Sequence, residues 1–131
     1  MFQPAQIKKI LAEAAAQKWP YPKVFDALKA AGVEYYETVV PRHEITYHGA
    51  GGQLKEGAPD GFQPVQAADQ FNQPGVRAAI LRTQRRETDY PQFLREIAAA
   101  GVHTYRVDMK DRTVSYKGAR GELYVETVPQ P

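Results

Sequence analysis

The stretch that starts at Tyr21, YPKVFDALKAAGVEYYETVVPRHEITYHGAGGQL, aligns without a gap with the one that starts at Tyr90, YPQFLREIAAAGVHTYRVDMKDRTVSYKGARGEL. The identities run Tyr21/Tyr90, Pro22/Pro91, Ala30/Ala99, Ala31/Ala100, Gly32/Gly101, Val33/Val102, Tyr36/Tyr105, Tyr47/Tyr116, Gly49/Gly118, Ala50/Ala119, Gly52/Gly121 and Leu54/Leu123. Upstream, QPAQIKKIL from Gln3 matches QPGVRAAIL from Gln73 once one residue of length difference is allowed. Whatever the first half builds, the second half is expected to build again. The unit is about sixty residues long, beyond the usual 20–45 of a solenoid repeat, and two copies fall short of the three a solenoid needs. The expectation is one domain over 1–131 with an internal pseudo-two-fold: repeat 1 over about 1–56, a crossover segment 57–70, and repeat 2 over about 71–128.

Each copy spells the same elements. Pro4 suits the first position of a helix, where no N–H is needed, and Ile7, Ile10, Leu11, Ala14 and Ala15 recur at helical spacing. A second helix is predicted from Pro22, with Tyr21 at its cap and Val24, Phe25, Leu28 and Ala31 on one face, stopping at Gly32. Val76, Ile80 and Leu81, then Phe93, Leu94, Ile97 and Ala100 before Gly101, repeat the pattern. Strands follow each pair. Tyr36, Thr38 and Val40 alternate along the first, as do Tyr105, Val107 and Met109 in the other copy. Pro41-Arg42 and Lys110-Asp111 are the turns, and Ile45 with Tyr47, or Val114 with Tyr116, point inward from the next strand. Glycine-dependent reversals at Gly49–Gly52 and Gly118–Gly121 lead to a third strand around Leu54 or Leu123–Val125. Consecutive short strands with tight turns pair antiparallel, so the class is α+β: an ααβββ unit duplicated, an antiparallel sheet, and four helices packed on one face.

The blocks GVEYYETVV, DYPQFL, GVHTYRVDM and GELYVETVP resemble the YdfO/YbcV-like family of small bacterial, often prophage-associated proteins, along essentially the full chain. That resemblance implies a duplicated α+β fold. Because the family is a domain of unknown function, it carries over no catalytic residue. Pro41-Arg42 stands where the resemblance implies an Asp-Gly-like turn.

Composition narrows the function classes. A net charge of +2 argues for neither nucleic acid nor a membrane surface. Cysteine is absent, which excludes disulfides, thiolate metal sites and a thiol nucleophile. The N-terminal segment lacks the pattern of a secretory signal and no apolar run is long enough to span a bilayer, so a cytoplasmic location is expected.

Side chains that differ between the copies are the ones free to carry chemistry. His43 and His48 flank the second strand, where Arg112 and Lys117 stand in the other copy; both read first as exposed strand-edge histidines. Pointing to opposite faces, they do not jointly hold a metal, and His103 is distant, so no metal or cofactor is expected. The sheet face away from the helices is predicted to carry Tyr35, Glu37, Glu44, Thr46, His48, Arg106, Asp108, Ser115, Lys117 and Tyr124, together with Val39. It reads first as the wet side of an antiparallel sheet and next as a ligand or partner face. Ser115, the only serine, sits mid-strand with no nucleophile-elbow pattern, and the GAGG run leads to a strand, not the helix a phosphate loop requires. Arg77, Arg82, Arg85 and Arg86 make the third helix basic, without the aromatic interleaving of a nucleic-acid surface. Pro59-Asp60-Gly61 is a turn signal, and Phe62, Val65 and Phe71 are too apolar for a free linker, so the crossover is predicted to pin itself to the body.

The leading reading is a non-enzymatic binding or interaction module, compatible with a homodimer and with a small-molecule or protein partner on the outer face. The alternative is a small enzyme whose acid–base residue is His48, aided by Glu37 or Tyr35. The third is nucleic-acid binding through Arg82–Arg86.

Overall fold

The computed structural model describes residues 2–58 and 61–128. Pro59 and Asp60 of the expected turn therefore lie outside the described residues. The helices are α1 (Pro4–Gln17), α2 (Tyr21–Ala30), α3 (Gln73–Gln84) and α4 (Tyr90–Ala99). The strands are β1 (Tyr35–Val39), β2 (Glu44–Gly49), β3 (Gly52–Glu56), β4 (Thr104–Asp108), β5 (Thr113–Lys117) and β6 (Leu123–Thr127). They form one six-stranded sheet in the order β3-β2-β1-β4-β5-β6, antiparallel at every pairing. The fold is α+β.

Helices α2 and α4, at ten residues each, are too short to persist alone in water. Packing supplies the rest. Phe25 and Leu28 of α2, and Leu94 and Ile97 of α4, are fully buried, each worth roughly 1.5–3 kcal/mol against exposure. Local signals set the boundaries. Prolines occupy the first turn of every helix, and the Asn72 and Asp89 side chains accept from the backbone N–H of Gly75 and Gln92. After α2 and α4, Gly32 (φ 95°) and Gly101 (φ 93°) take the left-handed conformation.

The paired registers place Tyr36, Thr38, Ile45, Tyr47, Leu54, Tyr105, Val107, Val114, Tyr116, Tyr124 and Glu126 on one face. This inner face is the buried one: Tyr36, Thr38, Tyr47, Tyr105, Val107, Val114 and Tyr116 all belong to the core. Two helix N-termini reach it through phenol hydroxyls, Tyr21 of α2 bonding Tyr36 and Tyr90 of α4 bonding Tyr105. Burial raises the pKa of Tyr21, Tyr36, Tyr47, Tyr90, Tyr105 and Tyr116. Tyr21 as a whole residue is 40% exposed, while its hydroxyl end is desolvated.

Two residues brace the halves against each other. His43 (φ 52°) follows a 3-10 turn over Val40–Arg42 and packs against Tyr90 of α4 at 5.1 Å. Arg112 (φ 55°) precedes β5 and turns to α2, its guanidinium 2.7 Å from Asp26 and 4.5 Å over the Phe25 ring. The crossover is pinned to the body: Val65 N–H donates to Pro41, Ala68 N–H to Ala98, and Asn72 N–H to Ala100. Phe62, Val65 and Phe71 pack against the core, and Ala67 is buried in it.

One part of the sequence alignment fails in space. The first reversal joins a Gly49↔Gly52 pair through two residues, whereas the second joins Gly118 and Glu122, hydrogen-bonded at 3.0 Å, through three. The extra residue slips β6 by one position. Leu54 therefore sits opposite Tyr47 on the inner face, while Leu123 sits opposite Lys117 on the outer face. Tyr124 takes the inner place opposite Tyr116, which corrects its expected position on the outer face.

Gly101 combines a left-handed backbone with contact: an added Cβ would lie 2.2 Å from the Gln70 carbonyl oxygen. Gly121 (φ 83°) has open space around its Cβ direction. We expect Gly101→Ala to cost about 3 kcal/mol and Gly121→Ala about 1 kcal/mol, measured by denaturant unfolding. Equal costs would mean that the crossover does not press on Gly101. In alkali, the six phenols raised by burial stabilise the fold below the unfolded tyrosine pKa of about 10, and that contribution is lost as pH rises. Most phenolate absorbance should then appear together with unfolding, not ahead of it.

Candidate functional site

The outer face of the sheet gathers most of the predicted site residues. Tyr35 pairs with His48 on one side and Asp108 on the other, and Glu37 lies between Thr46 and Arg106. The Tyr35 and His48 rings stack at 4.5 Å and 9°, and the Arg106 guanidinium lies 3.9 Å over the Tyr35 ring. Arg106, Tyr35 and His48 thus form a continuous stack across three central strands, with cation–π attraction at one side. Alternation produces it: on neighbouring antiparallel strands, directly opposed and diagonal side chains of one face come within contact.

Beside the stack runs an open groove of about 440 Å³, lined by Glu37, Val39, Arg42, Glu44, Thr46, His48, Lys55 and Thr104 among others. Glu44 is held there by Arg42 at 3.4 Å and Lys55 at 3.8 Å. These exposed ion pairs are worth roughly 0.2–1 kcal/mol each, so they orient the carboxylate more than they stabilise the fold. The groove is open and mixed in charge, and His48 is one of its lining residues. Among the described residues, no three or more His, Asp or Glu side chains are arranged to hold a metal ion.

Other predicted positions fall elsewhere. Asp108 is on the outer face, yet its Oδ1 accepts from the backbone N–H of Lys110 and Asp111, both at 3.1 Å, and so closes the β4–β5 turn. Lys117 stands exposed on β5, opposite Thr104 and Leu123. Tyr124 is on the far side, its hydroxyl donating to Glu126, which raises the Tyr124 pKa. His43 is not an exposed strand-edge residue: it precedes β2 and is only 8% exposed. His103 Nε2 lies 3.0 Å from the Ala68 carbonyl and so ties down the crossover.

The arginines of α3 do not make one free basic face. Arg82 bonds Glu96 at 3.3 Å, and Arg86 donates to the Lys18 carbonyl at 2.7 Å. Arg85 is the C-cap of α3. Arg77 lines a separate shallow groove of about 280 Å³ with Gln73, Pro74, Ala78 and Leu81. Sequence reading missed Arg42 and Lys55 as groove residues, and missed Leu123 and Val125 on the outer face. No sequence signal separates the last two, because GAGGQL and GARGEL are equally long and only their pairing differs.

Residues 6–127 match the family described as "Protein of unknown function (DUF1398)". Curated relatives include an uncharacterized protein of Mycobacterium bovis and two of Mycobacterium tuberculosis. Each is 29% identical over 109 residues, which is 81% of this chain and 65% of the relative. The match thus spans somewhat less than two-thirds of those proteins' length.

The packing of His43 carries a pH dependence. Its ring meets Phe62 and Tyr90 edge-on, its Nδ1 has no hydrogen-bond partner among the described residues, and burial lowers its pKa. The folded state therefore favours the neutral ring. Its contribution is complete above the unfolded histidine pKa of about 6.5 and is lost as pH falls through the lower folded value. Unfolding free energies from neutral to mildly acidic pH should fall, and His43→Phe should remove that part of the slope. An unchanged slope in the variant would assign the dependence to another group.

Proposed function

The chain belongs to the DUF1398 family, and from that premise we propose that it is a non-enzymatic binding module whose partner docks on the outer face of the sheet. The observation that carries this is the stack of Arg106, Tyr35 and His48, an ordered aromatic and cationic surface on the face opposite the buried tyrosines. Tyrosine and arginine are enriched at recognition surfaces, tyrosine because its large rigid ring gains contact at little entropic cost and arginine because its planar guanidinium offers a fork of donors. The neighbouring groove offers a polar channel with both signs of charge, suited to an extended protein segment.

The same reading takes the fold as a duplicated ααβββ unit with all four helices against the inner face. Its support is the repeated sequence, the repeated element order, and the matched tyrosine bonds from α2 and α4 to the inner face. Kinship with the YdfO/YbcV-like proteins, a prophage setting and a cytoplasmic location belong to this reading, the first two resting on the resemblance of sequence blocks and the last on helices too short and polar, among the described residues, to cross a membrane. A His48-centred acid–base enzyme is the second reading, favoured by the position of His48 in the groove lining, diagonal to Glu37 across β1 and β2.

A photo-crosslinking residue at Thr46, tested in cells of the encoding organism, should give a discrete protein adduct, and one at Lys9 of α1 should not. Combining Tyr35→Ala with Arg106→Ala should reduce the Thr46 adduct about tenfold, as for loss of a central anchor. No adduct from Thr46, or equal adducts from both probes, would sink the module. Turnover of a small molecule abolished by His48→Gln would establish the enzyme in its place.

A further inference from the structure

The two edges of the sheet differ. At one edge, β3 carries Lys55 on its outer face, the usual guard against unwanted strand pairing. At the other, β6 presents Leu123 and Val125 on that face, 53% and 49% exposed, with Thr127 beside them and no charge. Among the described residues, the other exposed large apolar side chains are Tyr21 and Leu81, both on helices.

The ladder fixes which backbone groups of β6 face away from β5. Val128 N–H donates to the Arg112 carbonyl at 2.8 Å, and Gly118 N–H to the Glu122 carbonyl at 3.0 Å. Hydrogen-bonded pairs alternate between these ends, so Tyr124 and Glu126 direct their N–H and C=O toward β5. The backbone groups of Leu123, Val125 and Thr127 point away from the sheet.

We infer that β6 is a self-pairing edge, and that its partner is the antiparallel β6 of a second copy with Val125 on the dyad. Reversed against itself, LYVET sets Leu123 opposite the partner's Thr127, Val125 opposite the partner's Val125, and Tyr124 opposite the partner's Glu126. Every outward N–H then meets an outward C=O. On the outer face, Leu123 and Val125 of both copies form one apolar stripe. On the inner face, each carboxylate meets a phenol and never another carboxylate, so no like charges are opposed. Such a contact is isologous and closes at two copies. Pairing of β6 with β3 of another copy would be open-ended and would bring Lys55 against the apolar stripe. This pairing does not depend on the Tyr35 stack.

Sedimentation equilibrium of the full chain, from micromolar to near-millimolar concentration, tests the pairing. The wild-type chain should reach the dimer mass, and Val125→Lys should raise the dimer dissociation constant at least about tenfold by placing two cations on the dyad. Mixing V125K with V125E should restore a dimer containing one of each, which neither forms alone. Should V125K fail to fold, the double change Leu123→Thr and Val125→Thr removes the stripe while keeping strand propensity, and should weaken the dimer likewise. Tyr35→Ala should leave self-association unchanged, which separates this pairing from partner binding at the stack. A wild-type chain monomeric throughout, a dimer unmoved by these β6 variants, or open-ended growth overturns the inference.

Discussion

The pairing of β1 with β4 holds the molecule together. Its register sets Tyr36 opposite Val107 and Thr38 opposite Tyr105. Backbone bonds extend it at both ends, from Val40 to His103 and from Met109 to Glu34. Without it there would be two three-stranded sheets, each with a bare edge and a half-covered aromatic face. With it, the inner faces of all six strands become one surface, and a chain of 131 residues keeps a single core. The braces work because of this seam: His43 reaches across to α4, and Arg112 to α2.

That core is built from tyrosine where many cores use leucine or phenylalanine. A buried phenol brings a large apolar area together with a hydroxyl that needs a partner. Here the hydroxyls of Tyr21 and Tyr90 satisfy those of Tyr36 and Tyr105, tying each helix start to the strand beneath it. The net gain per bond is only about 1 kcal/mol, whereas an orphaned hydroxyl would cost more, so the arrangement penalises misplaced helices more than it rewards placed ones. Thr38, fully buried at the seam, stands opposite Tyr105, whose phenol its side chain helps hold below what burial alone would set.

Much of this was legible in the sequence because short-range physics wrote it. Proline at helix starts, glycine after α2 and α4, and strict alternation along β1, β2, β4 and β5 gave the elements and the inward tyrosines. Alternation also placed Tyr35, Glu37, Glu44, Thr46, His48 and Arg106 together on the outer face. The misses have several causes, some long-range and one local. The burial of His43 depends on Phe62 and Tyr90, which are distant in the chain. Asp108 turned out to cap a hairpin through its own neighbours. Tyr124 was misplaced because identity at Leu54 and Leu123 hid a difference in loop length, and the pairing, not the alignment, decides which way a strand faces.

The unequal reversals have an evolutionary corollary. Because strand side chains alternate, moving one residue from the ladder into a surface turn, with no change in chain length, exchanges the entire set of residues a terminal strand shows to the outside. No core substitution is required, and the ladder survives intact. A protein built this way can change what its margin displays without an insertion or deletion, so the pairing across a turn, more than percentage identity, is the character to compare among its kin.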